Sequence, residues 1–173
     1  KLKDNTVVTT VMANIGFHKA IKENGGRTEI TAVGDRYVLE NMLANGYNLG
    51  GEQSGHIIFT DFSTTGDGPV TALQVLSYLK RTRHKASAIT KIMTSYPQLL
   101  VNVKVATKDG WEDNEAIKAS IEEGKQQLGE NGRILVRPSG TEPLIRVMAE
   151  GPDQKELEEI CYKIADVVKA QQG

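Results

Sequence analysis

The chain has 173 residues, of which 39% are apolar and 25% charged, a composition that excludes collagen-like and disordered proteins. Its 21 basic and 22 acidic residues leave a net charge of −1, so no overall positive field exists to hold nucleic acid or an anionic membrane. A single cysteine excludes an internal disulfide framework. With no secretory signal in view, a cytoplasmic protein of one large or two small domains is expected.

The first half alternates predicted strands and helices, the order typical of an α/β sheet. The predicted strands are Thr6–Met12, Thr28–Val33, Tyr47–Leu49 and His56–Phe59. The predicted helices are Asn14–Asn24, Asp35–Ala44 and a third that is capped by Asp67, runs to about Lys80 and buries Val70, Leu73, Leu76 and Leu79. Because an open α/β sheet normally has more elements, we expect this half to be the incomplete tail of a larger domain.

A domain boundary is predicted at Thr94–Gln98, where Tyr96–Pro97 ends a helical pattern over Lys85–Met93. The chain is therefore divided into residues 1–94 and 95–173. In the second part the predicted order is β-α-β-β-α, with strands Leu99–Val105, Arg133–Val136 and Leu144–Ala149 and helices Glu112–Leu128 and one that begins after a cap at Asp153. Strict alternation along the first of these strands predicts a sheet with only one face fully covered.

The segment Arg137–Pro143 (RPSGTEP) joins two predicted strands and concentrates groups that bind anions. Arg137 has a planar guanidinium that matches two phosphate oxygens, and Ser139 and Thr141 add hydroxyl donors. Gly140 can adopt angles that turn successive backbone N–H groups inward. The segment therefore indicates a phosphate site, and an ordinary exposed hairpin loop is the alternative.

Arg146 follows on the next predicted strand, with Leu144 and Met148 as its neighbours on the same face. If that face is partly covered, the guanidinium needs an anionic partner, since buried charges are normally paired. Arg146 is therefore a second candidate phosphate ligand. An exposed strand arginine is the alternative.

A second polar segment, Gly50–His56 (GGEQSGH), occupies a glycine-containing turn. Glu52 can accept two hydrogen bonds from a sugar diol, and Ser54 offers both a donor and an acceptor. His56 could transfer a proton or contact a phosphate, because imidazole titrates near neutral pH. The alternative is a solvated turn with a structural histidine.

Two further carboxylates follow glycines at predicted helix starts. Asp35 and Arg36 lie at a strand-to-helix junction, where open α/β sheets bind ligands, so we add both to the candidate sugar site. Asp35 could at the same time cap its helix. Asp67 is predicted to be a cap and not a metal ligand, because a single carboxylate makes a poor Mg²⁺ site.

These motifs resemble those of the α-D-phosphohexomutases. Gly51–His56 is similar to the sugar-recognition loop of that family, and Arg137–Pro143 resembles its phosphate-binding loop. Further segments are similar in order and spacing, namely Val11–Met12 with Asn14–Phe17, Ala32–Tyr37, and Asn48–Gly51 leading to Thr64–Gly68. The resemblance covers essentially the whole chain.

The resemblance implies the fold of both parts. Members of the family have four domains, and this chain is similar to the later part of domain 3 followed by all of domain 4. Domain 3 is α/β. Domain 4 is α+β, with an antiparallel sheet and helices on one face, as in the TATA-binding protein. The predicted β-α-β-β-α order agrees with the second fold.

The resemblance also implies an activity, the reversible conversion of glucosamine 6-phosphate to glucosamine 1-phosphate. A phosphoserine donates its phosphoryl group, the bisphosphorylated sugar reorients, and the other phosphate returns to the serine, with Mg²⁺ neutralising charge. The implied phosphate ligands are Arg137, Ser139, Gly140, Thr141 and Arg146. The implied sugar ligands are Glu52 and Ser54, and His56 is a candidate for proton transfer or a phosphate contact.

Two motifs of the family are absent from the chain: the phosphoserine loop of Thr-Ala-Ser-His-Asn-Pro type and the metal loop of Asp-Gly-Asp-x-Asp-Arg type. Both are expected upstream of Lys1, so Mg²⁺ would bind outside this chain, and the chain alone is expected to be inactive. The expected partners are a phosphorylated hexosamine and, for the longer enzyme, a second copy, with no nucleic acid and no membrane. A phosphomannomutase or phosphoglucomutase and a non-catalytic phosphosugar-binding module are the alternatives.

Overall fold

The chain forms two compact units in a computed structural model that describes all residues from Lys1 to Gly173. The first unit comprises Lys1–Ser95 and the second Tyr96–Gly173. Each unit has its own sheet and its own cluster of buried apolar side chains. No helix in either unit has the length and apolar character needed to cross a membrane.

The first unit is built on a four-stranded mixed sheet. Its strands are β1 (Thr6–Thr10), β2 (Arg27–Thr31), β3 (Leu49–Gly51) and β4 (Ile57–Phe59). They lie in the order β2-β1-β3-β4, and β1 pairs in parallel with β2 and β3, whereas β3 and β4 are antiparallel. The carboxyl ends of β1, β2 and β3 therefore share one edge of the sheet with the amino end of β4.

Four helices accompany these strands: α1 (Ile15–Glu23), α2 (Asp35–Asn45), α3 (Gly68–Thr82) and α4 (Ala86–Ile89). Side-chain caps fix two of the starts, because Asn14 accepts a hydrogen bond from Gly16 N–H and Asp67 accepts one from Val70 N–H. The predicted cap at Asp67 is thus confirmed. The buried core of the unit consists of Val8, Val38, Met42, Tyr47 and Ile58.

Three local predictions for the first unit are wrong. The expected stripe of α3 is not buried, because this helix packs mainly against the edge strand β4: Leu73 is 64% and Leu76 60% exposed, and Val70 and Leu79 are half-buried. Asp35 does not cap α2, since Gly34 occupies the cap position. The helix expected over Lys85–Met93 is confined to α4, because a short segment with no buried residue gains little from tertiary packing.

The second unit is an antiparallel three-stranded sheet covered by two helices. Its elements are β5 (Gln98–Lys104), α5 (Glu115–Leu128), β6 (Arg133–Pro138), β7 (Leu144–Glu150) and α6 (Gln154–Gln172). The strand order is β5-β7-β6, which places β7 in the centre. Short 3₁₀ turns at Trp111–Asp113 and Gly129–Asn131 flank α5, and a third lies at Lys3–Asn5 in the first unit.

Alternation along the strands of the second unit separates a face covered by helices from a helix-free face. Val103, Ile145 and Val147 belong to the core beneath α5 and α6, whose own contribution includes Ile117, Leu157, Ile160 and Ile164. The helix-free face carries Leu144, Arg146 and Met148 on β7. The predicted succession of an α/β part and an antiparallel sheet with helices on one face is confirmed.

Candidate functional site

The polar loop of the second unit joins β6 to β7 and is organised around Ser139. This residue is only 3% exposed, and its N–H donates to Leu144 O over 2.8 Å. The Ser139 hydroxyl oxygen lies 3.3 Å from Glu142 N and 3.4 Å from Arg146 Nη2, both of which donate to it. Tight closure of the hairpin thus places a hydroxyl group and a guanidinium side by side, as the sequence predicts for an anion site.

Two guanidinium groups share the helix-free face of the sheet beside this loop. Arg137 on β6 is the cross-strand partner of Arg146 on β7. Burial, and then the positive charge of Arg146, lower the pKa of Arg137 below its ordinary value. Arg146 pairs through Nη2 with Glu142 Oε2 at 3.3 Å, while its Nε is buried without a hydrogen-bond partner. The two arginines therefore provide N–H donors and excess positive charge at one place. These are the features that bind a dianion.

The expected backbone nest at Gly140 is not present. Its φ is not positive, so this loop lacks the left-handed turn that would direct successive N–H groups to one point. Gly140 and Thr141 are exposed, and a Cβ added at residue 140 would meet no atom within 4 Å. The donors that the fold brings together are therefore the guanidinium groups and the Ser139 hydroxyl.

A lysine that sequence reasoning missed also contacts this loop. Lys108 follows β5 and donates from Nζ to the Ser139 carbonyl oxygen over 2.7 Å. The only sequence signal is the position of Lys108, just beyond the end of the strand that pairs with β7. Finding it requires knowing that the end of β5 lies next to the start of β7, which is a fact of strand order and not of local sequence.

The second candidate site is the turn between β3 and β4 in the first unit. Glu52 N–H donates to His56 O over 2.9 Å, and Ser54 Oγ lies 3.1 Å from His56 Nδ1. Gly55 has φ 98°, a conformation that other residues rarely adopt, so this glycine is required by the turn. The structure thus brings three predicted residues together, and the Glu52 carboxylate makes no hydrogen bond within the chain.

A cavity of about 340 Å³ adjoins this turn. Glu52 and Gln53 line it together with apolar groups of Leu49, Phe17 and Met93. Its size falls within the range of small-molecule sites, and a few polar groups on an apolar wall can orient a ligand. The turn and the cavity together form a candidate sugar pocket.

Asp35 and Arg36 lie at the same sheet edge as Glu52 but on the other side of β1. The strands that precede them, β2 and β3, are separated by β1 and therefore lie about 10 Å apart. The Arg36 side chain is directed to Glu40, with a 2.7 Å contact that raises the pKa of Arg36. Arg36 is therefore engaged within its own helix, and the sugar-binding role of both residues stays a prediction.

The acidic and histidine side chains of this chain do not fit a metal ion. No group of three or more Asp, Glu, His or Cys side chains is placed to hold one. Asp67, the one carboxylate in the Thr64–Gly68 turn, is occupied as the cap of α3. A Mg²⁺ ion would thus need ligands other than these side chains.

Two family models match the chain. The model of the phosphoglucomutase/phosphomannomutase alpha/beta/alpha domain III matches residues 1–96, and that of the C-terminal domain of the same family matches residues 100–167. The chain belongs to the phosphoglucomutase/phosphomannomutase family, which confirms the resemblance seen in its motifs.

Individual members of the family are similar to this chain over almost its whole length. Phosphoglucosamine mutase of Brevibacillus brevis is 57% identical over 99% of this chain, and that of Bacillus cytotoxicus is 54% identical over 100%. The chain spans 38% and 39% of the lengths of these two relatives. N-acetylphosphoglucosamine mutase of Aspergillus fumigatus, in complex with GlcNAc-6P and magnesium, superposes with a TM-score of 0.80 at 21% identity, over 97% of this chain and 39% of that one.

Proposed function

We propose that this chain is the substrate-binding part of a phosphoglucosamine mutase, which interconverts glucosamine 6-phosphate and glucosamine 1-phosphate. The observation on which this rests is the Arg137–Arg146 pair beside the buried Ser139, found in a chain 57% identical to a bacterial phosphoglucosamine mutase. Two adjacent cations without a matching pair of carboxylates favour a doubly charged ligand such as a phosphate monoester.

The proposed mechanism assigns the two sites to different ends of one substrate. Arg137, Ser139, Gly140, Thr141 and Arg146 hold the phosphate that is not reacting, and charge-assisted hydrogen bonds orient it. Glu52 and Ser54 contact ring hydroxyl groups, which lets the sugar bind in either of two orientations. His56, paired with Ser54 at 3.1 Å, contacts the phosphate or transfers a proton.

The phosphoryl transfer itself would use groups outside this chain. Neither a Thr-Ala-Ser-His-Asn-Pro segment nor an Asp-Gly-Asp-x-Asp-Arg segment occurs in the sequence, and its side chains do not form a metal site. The fungal enzyme in complex with magnesium supports Mg²⁺ as the cofactor of the longer protein. When bound, such an ion neutralises charge on the transferring phosphoryl group. A cytoplasmic location belongs to the same proposal.

The experiment that tests the phosphate site is a calorimetric titration of the 173-residue chain with glucosamine 6-phosphate. Arg137→Ala should weaken binding by about 10- to 150-fold, because one charge-assisted contact contributes about 1.5–3 kcal/mol. Arg81→Ala removes the same charge from an exposed position of α3 and should leave the affinity unchanged. Equal affinity for wild type and Arg137→Ala would remove Arg137 from the site.

A second experiment tests the assignment to a mutase. The 173-residue chain alone should give no turnover of glucosamine 6-phosphate, and sustained turnover would contradict the division of roles proposed above. A phosphoglucomutase or phosphomannomutase is the competing assignment, because the matching family model bears those names. Rates of a longer protein that contains this chain, on glucosamine, glucose and mannose 6-phosphates, decide between them.

A further inference from the structure

We propose that Lys108 is a positioning residue of the phosphate site, which fixes the Ser139–Gly140 peptide and adds a third positive charge beside Arg137 and Arg146. This inference rests on the proposed function, because it assigns a role within the same site. Lys108 lies outside the RPSGTEP segment, 31 residues away from Ser139 along the chain.

The contact itself is short and directional. Lys108 Nζ lies 2.7 Å from the Ser139 carbonyl oxygen, and the side chain is half-buried. The segment that precedes it is fixed at two points, since Val105 N–H donates to Pro143 O over 3.1 Å and Ala106 N–H donates to Gln172 O over 2.7 Å. These two backbone hydrogen bonds fix the segment from which the Lys108 side chain reaches the loop.

The Lys108 side chain has no acidic partner at this position. No carboxylate lies within ion-pair distance of its Nζ, whereas Lys118, Lys125 and Lys163 of the same unit each pair with an acidic side chain. A carbonyl oxygen is a neutral acceptor, so the contact leaves the positive charge of Lys108 uncompensated. The site thus has three cations and, in Glu142, one carboxylate.

Planarity of the peptide bond explains how Lys108 can act on the ligand without touching it. In a trans peptide the C=O of Ser139 and the N–H of Gly140 point in opposite directions. The ammonium group that holds the carbonyl therefore fixes the direction of Gly140 N–H, which makes no hydrogen bond within the chain. Gly140 does not adopt the left-handed conformation. The Lys108 ammonium group, which lies outside the loop segment, therefore sets the direction of the Gly140 N–H.

The test is an NMR titration of the 173-residue chain with inorganic phosphate, following the Gly140 amide resonance. Lys108→Met should raise the Kd about five- to fifteen-fold and reduce the shift of the Gly140 amide, because the charge and the carbonyl contact are both lost. Lys108→Arg keeps both the positive charge and an N–H donor and should leave the Kd within about twofold of wild type. Lys108→Gln, which keeps a donor without charge, should fall between the two.

Lys155→Met is the matched control, since Lys155 is exposed in the first turn of α6, at the end of β7 away from the loop. It should bind phosphate as wild type does, and thermal unfolding should show all variants folded. Unchanged phosphate affinity in Lys108→Met, alongside a loss in Arg137→Ala, overturns the role of Lys108 and leaves the proposed function intact. Absence of phosphate binding by the unmodified chain overturns both proposals.

Discussion

Arg137 and Arg146 are directly opposed across the pairing of β6 and β7, so two guanidinium groups lie next to each other on the helix-free face of the second sheet. Like charges at directly opposed positions destabilise a sheet. Only one of the two has an acidic partner in the chain, because Arg146 contacts Glu142 and Arg137 has none. The fold therefore holds an electrostatic repulsion that a bound dianion would relieve.

Replacing Arg137 should accordingly have opposite effects on stability and on binding. Without phosphate, Arg137→Met should stabilise the second unit by about 0.2–1 kcal/mol, since the repulsion with Arg146 is removed. With phosphate in excess, wild type should become the more stable protein, because a ligand that binds only the folded state raises its stability. Thermal unfolding with and without phosphate measures both effects. A variant that is less stable than wild type in both conditions would contradict the prediction.

Glu142 should compete with the anionic ligand for Arg146. Its carboxylate lies 3.3 Å from Arg146 Nη2 and is 56% exposed, so the ion pair itself contributes little to stability. Glu142→Gln should tighten phosphate binding about two- to fivefold, because a negative charge leaves the site while the side chain keeps its shape. Glu130→Gln, at an exposed position of the same unit, provides the control. Weaker binding by Glu142→Gln would show instead that the carboxylate is needed to orient Arg146.

Gly50→Ala should destabilise the first unit by about 1–3 kcal/mol. A Cβ at this position would lie 2.5 Å from Met42 Sδ, 2.7 Å from Val38 Cγ1 and 3.0 Å from Val8 O. The backbone oxygen cannot move without disturbing the β1–β3 pairing that positions the Glu52 turn. Urea unfolding measures the loss. Gly68→Ala is the matched control, because a Cβ there meets no atom within 4 Å and stability should be unchanged or slightly higher.

Ionisation of Cys161 should lower stability at alkaline pH. Burial raises the pKa of this thiol to about 11, whereas the same thiol in the unfolded chain ionises near pH 9. Between these values the unfolded state loses the proton first, so the free energy of unfolding falls as pH rises, by at most about 1.4 kcal/mol per pH unit. Below pH about 8 this contribution to the pH dependence vanishes.

Cys161→Ser isolates this effect, because serine does not ionise in the same range and all other titrating groups are retained. Urea unfolding of wild type and variant between about pH 7 and about pH 11 should give curves that are parallel at the neutral end and converge above about pH 9. Curves that stay parallel throughout would show that the thiol ionises equally in both states.

Much of the architecture could be predicted from local patterns. The alternation of Leu99, Val101 and Val103 predicted a sheet covered on one face, and these residues do pack into the core beneath α5 and α6. Asp67 and Asp153 were predicted as caps, and each accepts backbone N–H bonds at the start of its helix. These features depend on residues near in sequence, so local periodicity and capping chemistry are sufficient to find them.

The errors have a different origin. The spacing of Leu73 and Leu76 is that of a buried helix face, but whether such a face is covered depends on what packs against it, and the edge strand β4 leaves it exposed. Gly140 permits a left-handed conformation without requiring it, and the actual loop does not use it. In both cases the sequence allows a structure that long-range contacts decide.

The family, the two sheets and the two polar segments could be predicted from the sequence alone, because short motifs and side-chain periodicity depend on residues that are close together in the chain. The position of Arg137 opposite Arg146 and the contact of Lys108 with Ser139 are evident only in the folded chain. Those contacts follow from the order β5-β7-β6, which brings together residues far apart in the chain. Strand order is selected by the packing of the whole sheet against its helices, and no local segment contains that information.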